Sequence, residues 1–467
     1  MSRIKSIRGR EIFTYDGYMY IFDAFNFNKT KKFWRCRYKN DCSCRIHTST
    51  ETSEVLKILN DHSHDSEAAL IEANEAITCM KQRAKDTLEP TSSVINECTS
   101  GISQAAKGEL ASDGAIKKQI RRIRREVQAA PDAPKDLITL VIPDEFKMYS
   151  PSEGIVEQFL LHDSGPGEDR ILIFGRYQNL EILAESTSWY ADGTFKVAPS
   201  LFSQIYVILA KYMNSVHPLL YALLPDKKKQ TYEKLLQIII NLKPGLKPIS
   251  IACDFEQAAI KAFQNIFPGV KIFGCLFHLS KNFRLKMYEL DLISKYKNDA
   301  DFSIAVKMIL ALAFVKIDDL DTAIEALTEH IPPEVLPLLD WFEEFYVGRI
   351  IRNRRRPARF PPVLWNVHER VLNKEDKTNN HAEAANRRLN LQMGVQHPTL
   401  WTFITNLRKV QSGRDTFYQQ LEAGNSPPKK KKKFIDVDKR IFKIVEDYNN
   451  RNTLSFLRGI AQNISCY

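Results

Sequence analysis

The sequence predicts an α/β protein whose mixed-sheet core is interrupted by an all-α insertion and preceded by a small β-rich module and a basic helical segment. Three observations carry that reading. Residues 188–275 alternate strand-like and helix-like runs, residues 290–375 keep apolar side chains at helical spacing, and residues 8–67 alternate apolar and polar positions in short runs. A chain of 467 residues, 44% of them hydrophobic, has room for two or three domains.

In the first module, Tyr18, Tyr20 and Phe22, and later Val55, Leu56 and Ile58, mark strands separated by Gly17 and Asn-rich turns. From 68 to 130 the texture changes to Ala, Glu, Lys and Arg with helical patterning and a break near Thr91 and Ser92. The run Ala130-Pro131-Asp132-Ala133-Pro134 ends that pattern and sets a domain boundary. Strands are predicted at 188–197, 204–213, 218–224, 248–253 and 270–275, with helices at 228–242, 255–266 and 276–289. Three strands close in sequence, followed by strand and helix in alternation, describe an RNase H-like mixed sheet.

Ile304, Val306, Met308, Ile309 and Leu312, then Leu336, Leu339, Phe342 and Phe345, define a helical insertion at about 290–375. Helices at 380–391 and 401–421 complete a core domain spanning 143–421. Gly424, Pro427 and Pro428 then open a basic C-terminal tail, 422–467, in which Lys429, Lys430, Lys431, Lys432 and Lys433 stand in succession. That cationic run suits a nuclear import receptor, and it places the protein in the nucleus.

Sixty-seven Lys and Arg against 56 Asp and Glu leave a formal charge of +11, which favours a polyanionic partner. No apolar run reaches the ~18 residues of a membrane span, and the first residues hold no signal-peptide core, so a soluble intracellular protein is expected. Eight cysteines in 467 residues do not make a disulfide scaffold; Cys79, Cys98, Cys253 and Cys466 have no nearby thiol in the sequence. There is no Gly-rich phosphate loop and no nucleophile-elbow pattern.

Cys36 and Cys42, followed by His62 and His64, supply the two thiolates and two imidazoles that tetrahedral structural zinc prefers. One such ion would stabilise a β module too small for a strong core. Lys31, Lys32, Arg35, Arg37 and Lys39 flank these residues and suit phosphate contact, or form a solvated charged face. His47 is a bystander.

Between 115 and 127, apolar Ile116, Ile120, Ile123 and Val127 form one helical stripe, and Lys117, Lys118, Arg121, Arg122, Arg124 and Arg125 cover the rest. This reads as the last helix of a helix-turn-helix-like unit on double-stranded DNA. A membrane surface or an acidic protein partner is the alternative for such a helix.

Asp192 sits within the first core strand, Asp254 ends the fourth, and Glu383 lies on a later helix. Two divalent cations, Mg²⁺ or Mn²⁺, set ~3.5–4 Å apart for phosphodiester cleavage need acidic ligands gathered from separate segments in this way. Glu256 is assigned to the dipole of the helix it starts, Asp226, Glu375 and Asp376 to loops, and Asn379 and Asn380 to the turn before the Glu383 helix. Arg387 and Arg388, a turn beyond Glu383, suit DNA phosphates. The arginines 352 and 354–356 are divided equally between DNA contact and solubility.

Two resemblances sharpen this reading. Phe33-Trp34-Arg35-Cys36, Cys42-Ser43-Cys44-Arg45 and His62-Ser63-His64 resemble the FLYWCH-type zinc finger; Cys44 stands where that family has a small residue, so Cys44 is the alternative to Cys42 as ligand. Asp192-Gly193-Thr194-Phe195-Lys196, Cys253-Asp254-Phe255-Glu256, Cys275-Leu276-Phe277-His278 and Asn379-Asn380-His381-Ala382-Glu383 resemble the signature of MULE (Mutator-like element) transposases. The second resemblance implies a DDE transposase that binds element ends, cleaves DNA and joins the freed 3′-hydroxyl to a target strand. Asp192, Asp254 and Glu383 would then be the metal ligands, with Cys275 and His278 beside them. A homodimer or larger synaptic complex is implied, since two DNA ends must be held together. The alternatives are a domesticated, transposase-derived DNA-binding regulator and an RNase H-like nuclease acting by hydrolysis alone.

Overall fold

Alternating residues in the first sixty positions do form strands. The computed structural model describes residues 4–5, 11–87, 89–128, 134–351, 354–378, 380–427, 431–464 and 466. Arg352, Asn379, Pro428, Lys429, Lys430 and most of the linker after 128 lie outside the described residues, as does the side chain of Arg125. The chain divides into two compact units, Met1–Asp132 and Ala133–Tyr467.

The first unit opens with a six-stranded antiparallel meander: β1 (Ile4–Lys5), β2 (Glu11–Tyr15), β3 (Tyr18–Phe25), β4 (Lys31–Cys36), β5 (Arg45–Ser49) and β6 (Val55–Leu59). Its core is slight: Tyr20, Trp34 and Ile46, with Cys36, Cys42 and Cys44. The Trp34 indole N–H donates to Thr48 Oγ1 at 2.9 Å, satisfying its one polar atom inside. Four helices follow, α1 (Ala68–Asp86), α2 (Thr91–Thr99), α3 (Gln104–Gly108) and α4 (Asp113–Gln128). Ile116, Ile120 and Ile123 of α4 bury against Ala76, Met80 and Ala84 of α1 and Val94 of α2, as the predicted stripe requires.

The second unit begins with a hairpin, β7 (Met148–Ser152) and β8 (Ile155–Gln158), then β9 (Leu160–Asp163), β10 (Leu172–Phe174) and α5 (Tyr177–Glu185). β11 (Ser188–Thr194), β12 (Gln204–Tyr212) and β13 (Ser215–Leu224) form an antiparallel meander. After α6 (Lys229–Leu242) come β14 (Ser250–Cys253), α7 (Gln257–Ile266), β15 (Lys271–Gly274) and α8 (Leu276–Glu289). The seven-stranded sheet runs β15-β14-β11-β12-β13-β10-β9, with β14 parallel to both β11 and β15 and the other neighbours antiparallel. Parallel neighbours need crossovers, which α6 and α7 supply.

The insertion contains α9 (Ile293–Asn298), α10 (Ala300–Ala311), α11 (Leu320–His330), α12 (Leu336–Phe342), α13 (Pro362–Trp365) and α14 (His368–Leu372). It is not wholly helical: the two-residue strands β16 (Ile350–Ile351) and β17 (Arg354–Arg355) pair antiparallel within it. α15 (Asn380–Met393) returns to the sheet and α16 (Leu400–Glu422) follows.

Residues 432–461, expected as part of a basic tail, instead form α17 (Lys432–Glu446) and α18 (Thr453–Ala461). Ile441, Val445, Phe456, Leu457 and Ile460 are buried in the core that holds the insertion. Val437, Ile441 and Val445 recur every four residues, and the adjoining lysines obscured that spacing. Among the described residues, no helix is long and apolar enough to cross a membrane.

Candidate functional site

Register sets the first two acids side by side. In the parallel pair β11 and β14, Tyr190 stands opposite Ala252, so two residues on Asp192 is level with Asp254. Across β14 and β15, Cys253 stands opposite Gly274, which brings Cys275 level with Asp254 in turn. The C-terminal ends of parallel strands are where α/β sheets open a crevice, and three reactive side chains are delivered to that edge.

Two glycines beside the site residues sit where a side chain would not fit. A Cβ on Gly193 would stand 2.5 Å from Gln204 Oε1, and one on Gly274 would stand 2.5 Å from the ring of Phe255. Each glycine therefore neighbours a site residue for want of space.

Asp192 is 7% exposed. Its Oδ1 accepts from the Gly193 N–H at 3.0 Å, and its Oδ2 accepts from Asn386 Nδ2 at 2.8 Å. Asp254 is half-exposed, and its Oδ1 accepts from the Phe255 N–H at 2.5 Å. His278, one turn into α8, places Nδ1 3.7 Å from Asp254 Oδ1, and that buried nitrogen has no hydrogen-bond partner. Glu383 reaches in from α15, its Oε1 4.0 Å from Cys275 Sγ. Donor atoms of Asp192, Asp254 and His278 lie within 4.8 Å of one another, as do those of Cys275, His278 and Glu383. His278 is common to both groups, so the five residues singled out from the sequence form two adjoining clusters, with Asp192 and Asp254 in one and Glu383 in the other.

Burial, and then the nearby Asp254 charge, push the Asp192 carboxyl up to about 7, against the Gly193 and Asn386 hydrogen bonds and the Lys281 charge. Burial and the Asp192 charge push Glu383 up to about 7, again opposed by Lys281. Burial holds the His278 imidazole below its ordinary value. Crowded carboxyl groups beside a buried imidazole nitrogen that has no hydrogen-bond partner make a donor set of the kind divalent cations take. The donors fit such ions.

Without cations, the fold carries a pH-dependent penalty. Folded Asp192 and Glu383 titrate near 7 against 3.8 and 4.5 for the free groups, so the folded state binds more protons between about pH 4 and 7. Stability should fall as pH rises through that window, with the deficit complete above it. Asp192→Asn should therefore raise the stability of the chelator-treated protein at pH 8 by on the order of 2–4 kcal/mol, and little at pH 4. Thermal melts in chelator at both pH values check this; an equal gain at the two would rule the account out.

Asn386 and Lys281 escaped the sequence reading. Asn386 follows Glu383 by three residues and Lys281 follows His278 by three, and helical spacing from each neighbour was the available signal. Glu256 is the N-cap of α7 but makes no side-chain cap; it accepts from the Tyr232 hydroxyl at 2.9 Å. With Asp192, Asp254 and Lys227 it lines a cavity of about 60 Å³. Asp376 is more than a loop charge, since it accepts from the Tyr190 hydroxyl at 2.7 Å. Asp226 accepts from the Lys228 N–H at 3.0 Å at the start of α6.

Of the basic candidates, Lys118, Arg121 and Arg122 are exposed on α4. Lys117 is half-buried and pairs with Asp113 at 2.5 Å. Arg124 turns inward, its Nε donating to the Ala84 carbonyl at 3.4 Å. Arg387 and Arg388 are exposed on α15; Arg388 lies near the like charge of Arg414.

In the first unit, Cys36, Cys42, His62 and His64 bring four donor atoms within 4.8 Å of one another. Cys36 Sγ lies 3.2 Å from His64 Nε2, Cys42 Sγ 3.4 Å from His62 Nδ1, and the two imidazole nitrogens are 3.2 Å apart. Zinc bond lengths imply tetrahedron edges of roughly 3.3–3.6 Å for these donor pairs, so the four fit one structural zinc. Each imidazole is oriented by its other nitrogen, His62 Nε2 by the Tyr20 hydroxyl at 2.8 Å and His64 Nδ1 by the Asp65 carbonyl at 2.9 Å. Burial pushes the Cys36 thiol up to about 11. For Cys42 burial acts in the same direction, but backbone N–H groups of Ser63 and Cys44 outweigh it and bring the thiol down to about 7. Cys44 stands outside the cluster, 3.9 Å from the Tyr20 hydroxyl.

Comparison with known proteins assigns both regions. Residues 3–64 match the FLYWCH zinc finger domain, and residues 188–282 match the MULE transposase domain. FLYWCH transcription factor 2 of Caenorhabditis elegans is 44% identical over 50 residues, 11% of each chain. FLYWCH transcription factor 1 of the same organism is 37% identical over 51 residues, 11% of this chain and 10% of that one. The matched segment is thus about a tenth of these relatives' length. Among solved structures, the Drosophila P element transposase strand transfer complex aligns with 76% of this chain and 93% of its own at 12% identity, with a TM-score of 0.24. That score is too low for a shared fold to be read from it.

Proposed function

We propose that this chain, which carries a FLYWCH zinc finger domain and a MULE transposase domain, is a metal-dependent DDE transposase acting on double-stranded DNA in the nucleus. The observation that carries the reading is the approach of Asp192, Asp254 and Glu383 around His278, from two parallel neighbouring strands and a helix more than a hundred residues later. The sheet order, a three-strand antiparallel meander extended by parallel strands, supports an RNase H-like core.

The three acids would hold two Mg²⁺ or Mn²⁺ ions, whose Lewis acidity activates water or a 3′-hydroxyl and stabilises the leaving oxygen. The chain's own contribution is orientation. Asn386 and the Gly193 N–H fix both oxygens of Asp192, the Phe255 N–H fixes Asp254, and Glu383 spans the gap from α15 with its longer arm. His278 faces the Asp254 side of the centre, where it can contact the scissile strand. Lys281 brings positive charge close to the acids and suits a phosphate. Lys117, Lys118, Arg121 and Arg122 of α4 would hold the DNA backbone, and Arg387 and Arg388, on the same helix as Glu383, would contact phosphates beside the acids. Two DNA ends call for a dimer or larger assembly, and the lysine run suits an import receptor.

The test is incubation of the protein and its Asp192→Asn variant with Mn²⁺ or Mg²⁺ and DNA bearing the sequences that flank its own gene. Cleavage and joining by the parent alone is the expected result. Cutting without joining would favour a hydrolytic nuclease. Specific binding with no cutting by either protein would favour a DNA-binding regulator, the reading suggested by the transcription-factor relatives of the finger.

A further inference from the structure

Cys275, His278 and Glu383 present a sulfur, an imidazole nitrogen and a carboxylate oxygen within 4.8 Å of one another. Hard cations such as Mg²⁺ take oxygen ligands and have no use for a thiol; thiolate with imidazole and carboxylate selects zinc-class ions. The sulfur-to-oxygen distance of 4.0 Å must contract by only a few tenths of an ångström to match the ~3.6 Å edge that zinc bond lengths imply. Cys275 is the N-cap of α8 and His278 its third residue, so one rigid turn sets their spacing, while Glu383 closes the site from α15. His278 Nδ1 is buried without a hydrogen-bond partner, which a bound cation would explain. Asp192 and Asp254 also face the centre, against Lys281 and the buried Arg370, so acids outnumber cations there.

From this geometry we infer that Cys275, His278 and Glu383 form a second, zinc-class cation site, separate from the finger, with three protein ligands and one open position. Glu383 belongs both to this site and to the hard-cation pair. Zinc at the thiol site therefore withdraws Glu383 from that pair and switches the centre off. The exclusion, though not the site itself, rests on the cleavage reading given above.

The full chain, stripped with chelator, reloaded with zinc and desalted, should hold two zinc ions. Cys275→Ser should hold one, and so should His278→Gln, whose ring is partly accessible and whose substitution leaves the buried thiol in place should the serine variant fold poorly. Cys36→Ser should also hold one, with the remaining ion lost on adding Cys275→Ser. Loading the parent with Mn²⁺ first, the second zinc should release the bound-manganese resonance signal, and Cys275→Ser should keep that signal. One zinc in the parent, or equal zinc in the parent and Cys275→Ser, overturns the site. Two zinc ions with no manganese bound by the acids would support the site and overturn the hard-cation pair.

Discussion

Glu383→Gln should reduce cation-dependent strand cleavage by ~10³-fold or more while leaving DNA binding intact. The amide keeps the size and reach of the side chain but removes the charge that two cations need from this position. Losing a single preorganised group at a reacting centre commonly costs ~10²–10³ in rate, and a ligand whose loss also empties a cation position should stand at or above that range. The effect should not add to that of Asp254→Asn, because either change dismantles the same unit. The double variant should be no slower than the worse single one. DNA affinity should hold or rise slightly, since a negative charge leaves a surface that approaches phosphates. Single-turnover cleavage with saturating Mn²⁺, alongside gel-shift titration, measures both quantities. Cleavage within a few-fold of the parent would remove Glu383 from the chemistry; loss of binding in step with cleavage would make its role one of folding.

Much of this centre was legible because strand periodicity and local motif fall on the same residues. Strands predicted at 188–197, 204–213 and 248–253 correspond to β11, β12 and β14 within a few residues at each end, so Asp192 could be set within one strand and Asp254 at the end of another. What the sequence did not carry was register. Only the pairing of Tyr190 with Ala252 and Cys253 with Gly274 brings Asp192, Asp254 and Cys275 level.

Asn386 is hidden for a related reason: its spacing from Glu383 marks the helix face, but its role depends on that helix packing against a strand almost two hundred positions earlier. β10 is hidden because a run of three residues is too short for a period to show. The apolar stripe of α17 is obscured by the consecutive lysines at its start. The thiol pair shows the same limit. Cys79 and Cys98 lack sequence neighbours, yet α1 and α2 bring their sulfurs to 3.0 Å.

The donor cluster of the finger was legible by residue type, but the choice between Cys42 and Cys44 was not, because both are buried and only two residues apart. The structure separates them by direction. Cys42 Sγ meets His62 Nδ1 at 3.4 Å, while Cys44 turns toward the Tyr20 hydroxyl. Cys42→Ser should therefore abolish binding of the finger zinc and unfold β2 to β6. The apolar core there is Tyr20, Trp34, Ile46 and their few partly buried neighbours, too little to support so small a module alone. Metal binding in zinc fingers supplies ~10–16 kcal/mol of apparent folding free energy, far more than that core can replace. Cys44→Ser should keep the zinc and cost only ~1–2 kcal/mol, the usual consequence of placing a hydroxyl in a packed site. Zinc content, together with trypsin cleavage between residues 11 and 67 in an otherwise resistant chain, reads both variants. Chelator added to the parent should reproduce the Cys42→Ser digestion pattern. Should Cys44→Ser lose the zinc and Cys42→Ser retain it, the ligand set would be Cys36, Cys44, His62 and His64. The turn carrying both thiols would then have to rotate by two residues to reach the imidazoles.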